Sequence, residues 1–244
     1  MNVLVVGAGA MGRWFAQTLR EHADAAVAFT DTDSDAAQRA AASEGGRAVP
    51  TDTEERFDLV CLAVPMPVAG VAIEEYAPLA TGGVVDVTGQ MADPLAAMTA
   101  VAPDVERASF HPLFAPANAP GAIAVVTAAG GETVDTAVGA LVAAGNEVFE
   151  TTADEHDTAM ESVQAAAHAA VLAYAVAAAD VPERFHTPVS AGLESLVEQV
   201  TGGEARVYAD IQAAFDGAEA VADAARTIAD ADHEEFAALY DQLS

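Results

Sequence analysis

Two rhythms of apolar residues divide the chain. Up to about residue 150, short apolar runs alternate with stretches of helical spacing. The runs fall at Asn2–Val6, Ala25–Thr30, near Ala48, Phe57–Val64, Val84–Val87, Val105–Phe110, Gly121–Thr127 and Asn146–Glu150. Phe57–Val64 is almost unbroken, as a strand covered on both faces requires. Between the runs, helices are expected from Gly12 to His22, over Asp35–Glu44, from Pro67 toward Tyr76, over Pro94–Val101 and over Glu132–Ala144. Such alternation predicts a parallel, right-handed, doubly wound sheet. From Thr151 only helical spacing remains: Asp154–Ala179, Pro188–Val200, Glu204–Phe215 and Ala218–Leu243, punctuated by Pro182, Gly202-Gly203 and Gly217. The expected class is therefore α/β, with a sheet domain over 1–150 and an all-α domain over 151–244. Helices with so few charged positions are expected to bury a face against a partner subunit.

The first apolar run ends in Gly7-Ala8-Gly9-Ala10-Met11-Gly12 and opens a helix. In that context the glycines read as a dinucleotide-binding, Rossmann-type turn, with the pyrophosphate over the helix N-terminus. Asp31 follows about twenty residues on, where a ribose-binding acid belongs, although it or Asp33 would also serve as a helix cap. Its carboxylate would repel a 2′-phosphate, and the next arginine is Arg39, so NAD is expected rather than NADP. The expected cofactor contacts are Gly7, Gly9, Ala10, Met11, Gly12 and Asp31, with Val64 and Pro65 at the end of the fourth run.

Charge narrows the class. Acids outnumber bases 38 to 9, for a net −29, and all nine bases are arginine. That surface repels nucleic acid and anionic membrane. The acids are spread along the whole chain, which favours adaptation to concentrated salt over an acidic binding tail. The one cysteine, Cys61, sits in an expected central strand and reads as a small buried hydrophobe. The apolar start is too short for a signal or membrane helix, so a soluble cytoplasmic protein is expected.

The candidate chemistry centres on Ser109-Phe110-His111-Pro112-Leu113-Phe114-Ala115-Pro116, at the carboxyl end of an expected strand. A loop histidine there is placed for acid–base work near neutral pH, or for capping a carbonyl. On the first C-terminal helix His156, Met160, Gln164 and His168 recur every four residues on one face. Gln164 and His168, one turn apart, suit a substrate carboxylate. His156 reads equally as a buried seam histidine. The histidine spacing is wrong for a zinc pair, so no metal is expected.

Taken together, the glycine turn, the His111 loop, Glu155-His156-Asp157 with Gln164 and His168, and Val207-Tyr208-Ala209-Asp210-Ile211-Gln212 resemble the prephenate dehydrogenase family over nearly the whole chain. The resemblance implies NAD-linked oxidative decarboxylation of prephenate to 4-hydroxyphenylpyruvate, with His111 as the base, and a homodimer built through the helices. The lysine-free composition points to a haloarchaeal member. Two departures stand out. The family's Ser-Val-Lys after the aspartate-led turn is Gly89-Gln90-Met91 here, leaving Thr88 to orient the histidine. The arginine nine residues before the tyrosine matched by Tyr208 is Gln199, leaving Arg206, His168 and Gln164 as substitutes to test, none of which matches that arginine's position. Arogenate in place of prephenate, and a non-catalytic NAD-binding sensor of the same fold, stay open.

Overall fold

The computed structural model describes residues 1–244 except Asp180, Ser244 and the side chain of Glu183. Two compact units emerge, Met1–Asp157 and Thr158–Ser244. The division falls inside a helix rather than at residue 150, because that helix's first turn belongs to the sheet unit: Ala153 packs on Met91, Leu95 and Ala124.

In the first unit eight strands form one sheet: β1 (Asn2–Val6), β2 (Ala26–Thr30), β3 (Arg47–Ala48), β4 (Phe57–Leu62), β5 (Ala80–Asp86), β6 (Glu106–Pro112), β7 (Ala122–Ala129) and β8 (Glu147–Glu150), in the order β3-β2-β1-β4-β5-β6-β7-β8. The helices between them are α1 (Ala10–Ala23), α2 (Ser34–Glu44), α3 (Met66–Tyr76), α4 (Ala92–Val101) and α5 (Glu132–Ala143). Alternate residues of β1 feed two cores, as the two-residue period of a strand demands. Val3 and Val5 join Phe15 and Leu19 of α1, while Leu4 and Val6 join Ile73 of α3 and Met98 of α4. Each such large side chain contributes about 1.5–3 kcal/mol on full burial. Cys61 lies fully buried among them as a free thiol.

The sheet is not parallel throughout. β7 runs antiparallel to β6, with His111 opposite Ala124, and β8 is parallel to β7. The cause is the short link after Pro112, which holds one 3₁₀ turn (Pro116–Asn118) and no crossover helix. A parallel return needs a dozen or more residues, usually helical. Pairing with β7 also draws His111 and Pro112 into the strand, so His111 is a strand residue rather than a loop residue. Strand order reverses between β1 and β4, which sets the ligand crevice at their carboxyl ends.

The boundary lies in α6 (Ala153–Met160). The second unit holds a π-helical turn (Glu161–Ala166), α7 (Ala167–Ala177), α8 (Pro188–Thr201), α9 (Ala205–Ala214), α10 (Gly217–Asp230) and α11 (His233–Gln242). The expected single helix over Asp154–Ala179 is thus interrupted by the π turn. Its loosened backbone is matched by neighbours: Gln212 Nε2 donates to Ala165 O at 2.8 Å, and Gly217 lies so close to Glu161 O that a β-carbon would overlap it. The expected helix over Ala218–Leu243 is two helices. The first ends at Asp230, and Asp232 caps the second, accepting from Glu234 and Glu235 N at 2.9 Å each, with Glu235 returning to Asp232 N. Among the described residues no helix is long and apolar enough to cross a membrane.

Candidate active site

The glycine turn is built by close approach. Gly7 has φ +98° and donates to Thr30 O at 2.9 Å, and a β-carbon on it would overlap the carbonyl oxygen of Ala63. Gly12 lies directly against the Gly7 carbonyl. α1 starts at Ala10 with Gly9 as its cap and, among the described residues, no side chain takes up its first amides, those of Ala10, Met11 and Gly12. Open space surrounds Gly9 on its β-carbon side. An uncapped helix start behind a glycine turn is an anion cradle.

Asp31 sits at the rim of that turn. Its Oδ2 accepts from Ala8 N at 2.8 Å and its Oδ1 from Asp33 N at 2.9 Å. The capping role falls to Asp33, which accepts from Asp35 N at 3.0 Å at the start of α2. Asp31 also borders a cleft of about 350 Å³ with Thr32, Ser34, Val49, Pro50 and Thr51. At the end of β4, half-buried Val64 leads into Pro65, the cap of α3. These residues fit a dinucleotide: a cradle for the pyrophosphate, a carboxylate for a ribose and a cleft beyond it.

His111 projects from near the end of β6 and is only 7% exposed. Its Nδ1 stands 2.8 Å from Nε2 of His156, itself 3% exposed, and the rings meet edge to face with centroids 5.0 Å apart. His156 Nδ1 is in turn 2.8 Å from Asp157 Oδ1. Asp157 accepts two backbone amides at the start of α4, Met91 N at 3.1 Å and Ala92 N at 3.0 Å. Burial, reinforced by the neighbouring His156, holds the His111 imidazole well below its usual range, with Asp157 opposing. Burial works to raise Asp157, but the His156 ring and the two amides outweigh it and hold its carboxyl below the usual range.

Thr88 does not orient His111. Its hydroxyl lies 2.6 Å from Asp86 Oδ1 and 3.0 Å from Gln90 O, and its N–H donates to the same carboxylate at 3.0 Å. Asp86, fully buried at the end of β5, is raised by that burial to about 6 against the pull of Thr88. His156 is what holds the Nδ1 side of His111. Beyond Thr88, Gly89 stands next to the other ring nitrogen: a β-carbon there would lie 3.8 Å from His111 Nε2 and 2.9 Å from Met66 Sδ.

The remaining candidates belong to the second unit. His168 on α7 meets Tyr208 of α9 edge-on, ring centroids 4.9 Å apart. Its buried Nδ1 has no hydrogen-bond partner among the described residues, and burial lowers its basicity. Gln164 lies in the π turn. Gln199 is exposed on α8, and Arg206 is exposed and paired with Glu204 at 3.7 Å and Asp210 at 3.8 Å. The structure thus joins His111 to His156 and Asp157, and His168 to Tyr208. Helix spacing alone gives no sign of the 45-residue link from His111 to His156, nor of Asp157 behind it.

No family model matches the chain. It is 32% identical over 276 residues, covering 99% of this chain and 89% of the relative, to the 4-amino-4-deoxyprephenate dehydrogenase of Streptomyces pristinaespiralis. Its fold is shared by the prephenate dehydrogenase of A. aeolicus, solved in complex with hydroxyphenyl propionate and NAD⁺. That match has a TM-score of 0.73 and 15% identity, covering 93% of this chain and 87% of that one. The arogenate dehydrogenase of Synechocystis matches at TM-score 0.64 and 15% identity, over 99% and 97% of the two chains.

Proposed function

Because the chain belongs to the prephenate dehydrogenase family, we propose that it oxidises and decarboxylates prephenate to 4-hydroxyphenylpyruvate with NAD. The carrying observation is a buried histidine, His111, kept neutral and held through Nδ1 at the carboxyl edge of the sheet. Bound NAD would supply the acceptor for the hydride that leaves ring carbon 4. His111 accepts the proton of the 4-hydroxyl at Nε2, leaving a carbonyl at carbon 4. The carbon–carboxylate bond at carbon 1 then breaks, its electron pair makes the ring aromatic, and the new phenolate oxygen takes the proton back from His111. The protein therefore needs orientation and one base that returns what it borrows. Gly7, Gly9, Ala10, Met11, Gly12 and Asp31 would hold the cofactor, with Val64 and Pro65 beside it. Gln164, His168, Gln199, Arg206 and Thr88 are the candidate contacts for substrate polar groups. A second reading, the 4-amino analogue of prephenate, rests on the 32% identity to an enzyme named for it; arogenate is the third.

The test is NADH absorbance with each of the three acids, offered NAD and NADP in turn. Turnover of prephenate with NAD at least tenfold above NADP is the expected result; turnover confined to the amino analogue would move the assignment to the second reading. NAD binding without turnover of any acid would replace all three with a non-catalytic sensor.

We further propose a cytoplasmic homodimer from a haloarchaeal source. The charge of −29 supports the source, and exposed apolar side chains support the dimer: Val176 at 89%, Val189 at 74% and Tyr240 at 66%. Self-repulsion weakens as the Debye length falls from about 10 Å at ~0.1 M to about 3 Å at ~1 M salt. The Tm should therefore rise steadily across that KCl range, with light scattering giving twice the chain mass. A flat Tm, or a monomer at ~1 M KCl, would refute the respective claim.

A further inference from the structure

The path from His111 ends on backbone. Asp157 is anchored by two amide donors, and a carboxylate that accepts Met91 and Ala92 N–H is an acceptor for His156 as well. His156 must then carry its proton on Nδ1. In neutral His156 this leaves Nε2 as an acceptor, so the 2.8 Å contact is a hydrogen bond donated by His111 Nδ1. The single ring proton of neutral His111 is thereby spent on the inner side, and its basic atom is Nε2, the nitrogen that neighbours Gly89.

We propose that Asp157 and His156 are positioning residues that fix the tautomer of His111 and receive its charge: as Nε2 of His111 gains a proton, the Nδ1 proton crosses to Nε2 of His156. One proton enters, one crosses, and His156 becomes the imidazolium beside Asp157, with no heavy-atom bond changed. The inference rests on the reading of His111 as the base. It also removes a difficulty in that reading, because burial makes an imidazolium at His111 costly, whereas at His156 it would lie 2.8 Å from a carboxylate. Among the described residues of this unit, the charged or titrating groups that face the pair include Asp157 and the buried Asp86. In the reverse step the same relay returns the proton to the phenolate oxygen.

The tautomer is read directly by long-range ¹H–¹⁵N spectra of the histidine-labelled full chain at about pH 8. His111 should show a protonated Nδ1 and an unprotonated Nε2, and Asp157→Asn should move it toward the other tautomer. In kinetics, Asp157→Asn and His156→Phe should each lower kcat about 100-fold, within the span of proton-transfer catalysis, with KM and NAD affinity changed less than about threefold. His156→Gln, whose amide oxygen still accepts from Nδ1–H, should recover about tenfold over His156→Phe. A wild-type His111 protonated at Nε2 would overturn the proposal, as would kcat in Asp157→Asn within about threefold of wild type. The spectra need no substrate, so they decide the relay even where every candidate acid fails to turn over. Asp157→Asn keeps the kinetic arm decisive should His156→Phe fail to fold.

Discussion

His111→Asn should lower kcat about a thousandfold, in the middle of the range for loss of a positioned base, with KM and NAD affinity within about threefold of wild type. Asparagine nearly matches the inner half of the ring and can donate to His156, so the packing around a 7% exposed site is largely kept. What disappears is a nitrogen that can accept a proton. The pH dependence follows from the environment of the ring. Burial, then His156, depress the basicity of His111, so the folded protein keeps it neutral below the pH at which an unfolded histidine charges, near 6.5. Its own titration therefore puts no acid limb near pH 6.5 on kcat/KM.

Stability shows the same shift with a definite sign. Below about pH 6.5 the unfolded chain binds a proton at His111 that the folded chain refuses, so stability present above that value is lost as pH falls, by at most about 1.4 kcal/mol per unit. Asp86 acts oppositely: its folded value of about 6 exceeds the unfolded one, so it adds stability as pH falls through 6 toward about 3.9. His111→Asn removes only the first effect. The variant's Tm should gain on wild type between pH 8 and pH 5, and a constant difference would show that His111 is not held neutral.

Much of the first unit was legible because its signals are local. The glycine turn needs only a strand before it and a helix after it, and Asp31 needs only its spacing from them. The direction of β7 was legible too, in the lack of any helical stretch between Pro112 and Ala122; the regular alternation elsewhere masked it. Asp232 with Glu235 carries a capping box that an alanine-rich pattern runs straight through. The relay is a different matter. His111 and His156 meet because β6, extended by antiparallel pairing, and α6, anchored by Ala153 in the sheet unit, arrive at one place. No periodicity within either segment encodes that meeting. Thr88 failed as a guide for a related reason: its nearest polar partner is a carboxylate two residues back, and a hydroxyl so engaged is not presented to a more distant ring.

The glycine turn carries the other large effect. Gly7→Val should lower the Tm by roughly 4–20 °C and weaken NAD binding at least tenfold. At φ +98° a β-branched residue is strained by about 1–2 kcal/mol, and its β-carbon would overlap the Ala63 carbonyl, adding about 1–3 kcal/mol of overpacking. At about 2–4 °C per kcal/mol for a chain of this size, the Tm range follows. Relief would have to come from moving the β1 turn away from the end of β4, which carries the amides of α1 out of line with the cofactor. Gly9→Ala separates the two causes. Gly9 has an ordinary φ of −69° and, apart from its chain neighbours, no atom among the described residues within 4 Å of its would-be β-carbon, so the Tm should stay within about 1 °C of wild type. If the pyrophosphate closes on that open face, NAD affinity should nonetheless fall about tenfold, a cost near 1.4 kcal/mol. Calorimetry and NAD titration on the two variants then read fold and cradle separately. Unchanged NAD affinity in Gly9→Ala would place the dinucleotide elsewhere, and an unchanged Tm in Gly7→Val would mean that the Ala63 carbonyl does not set the limit on this turn.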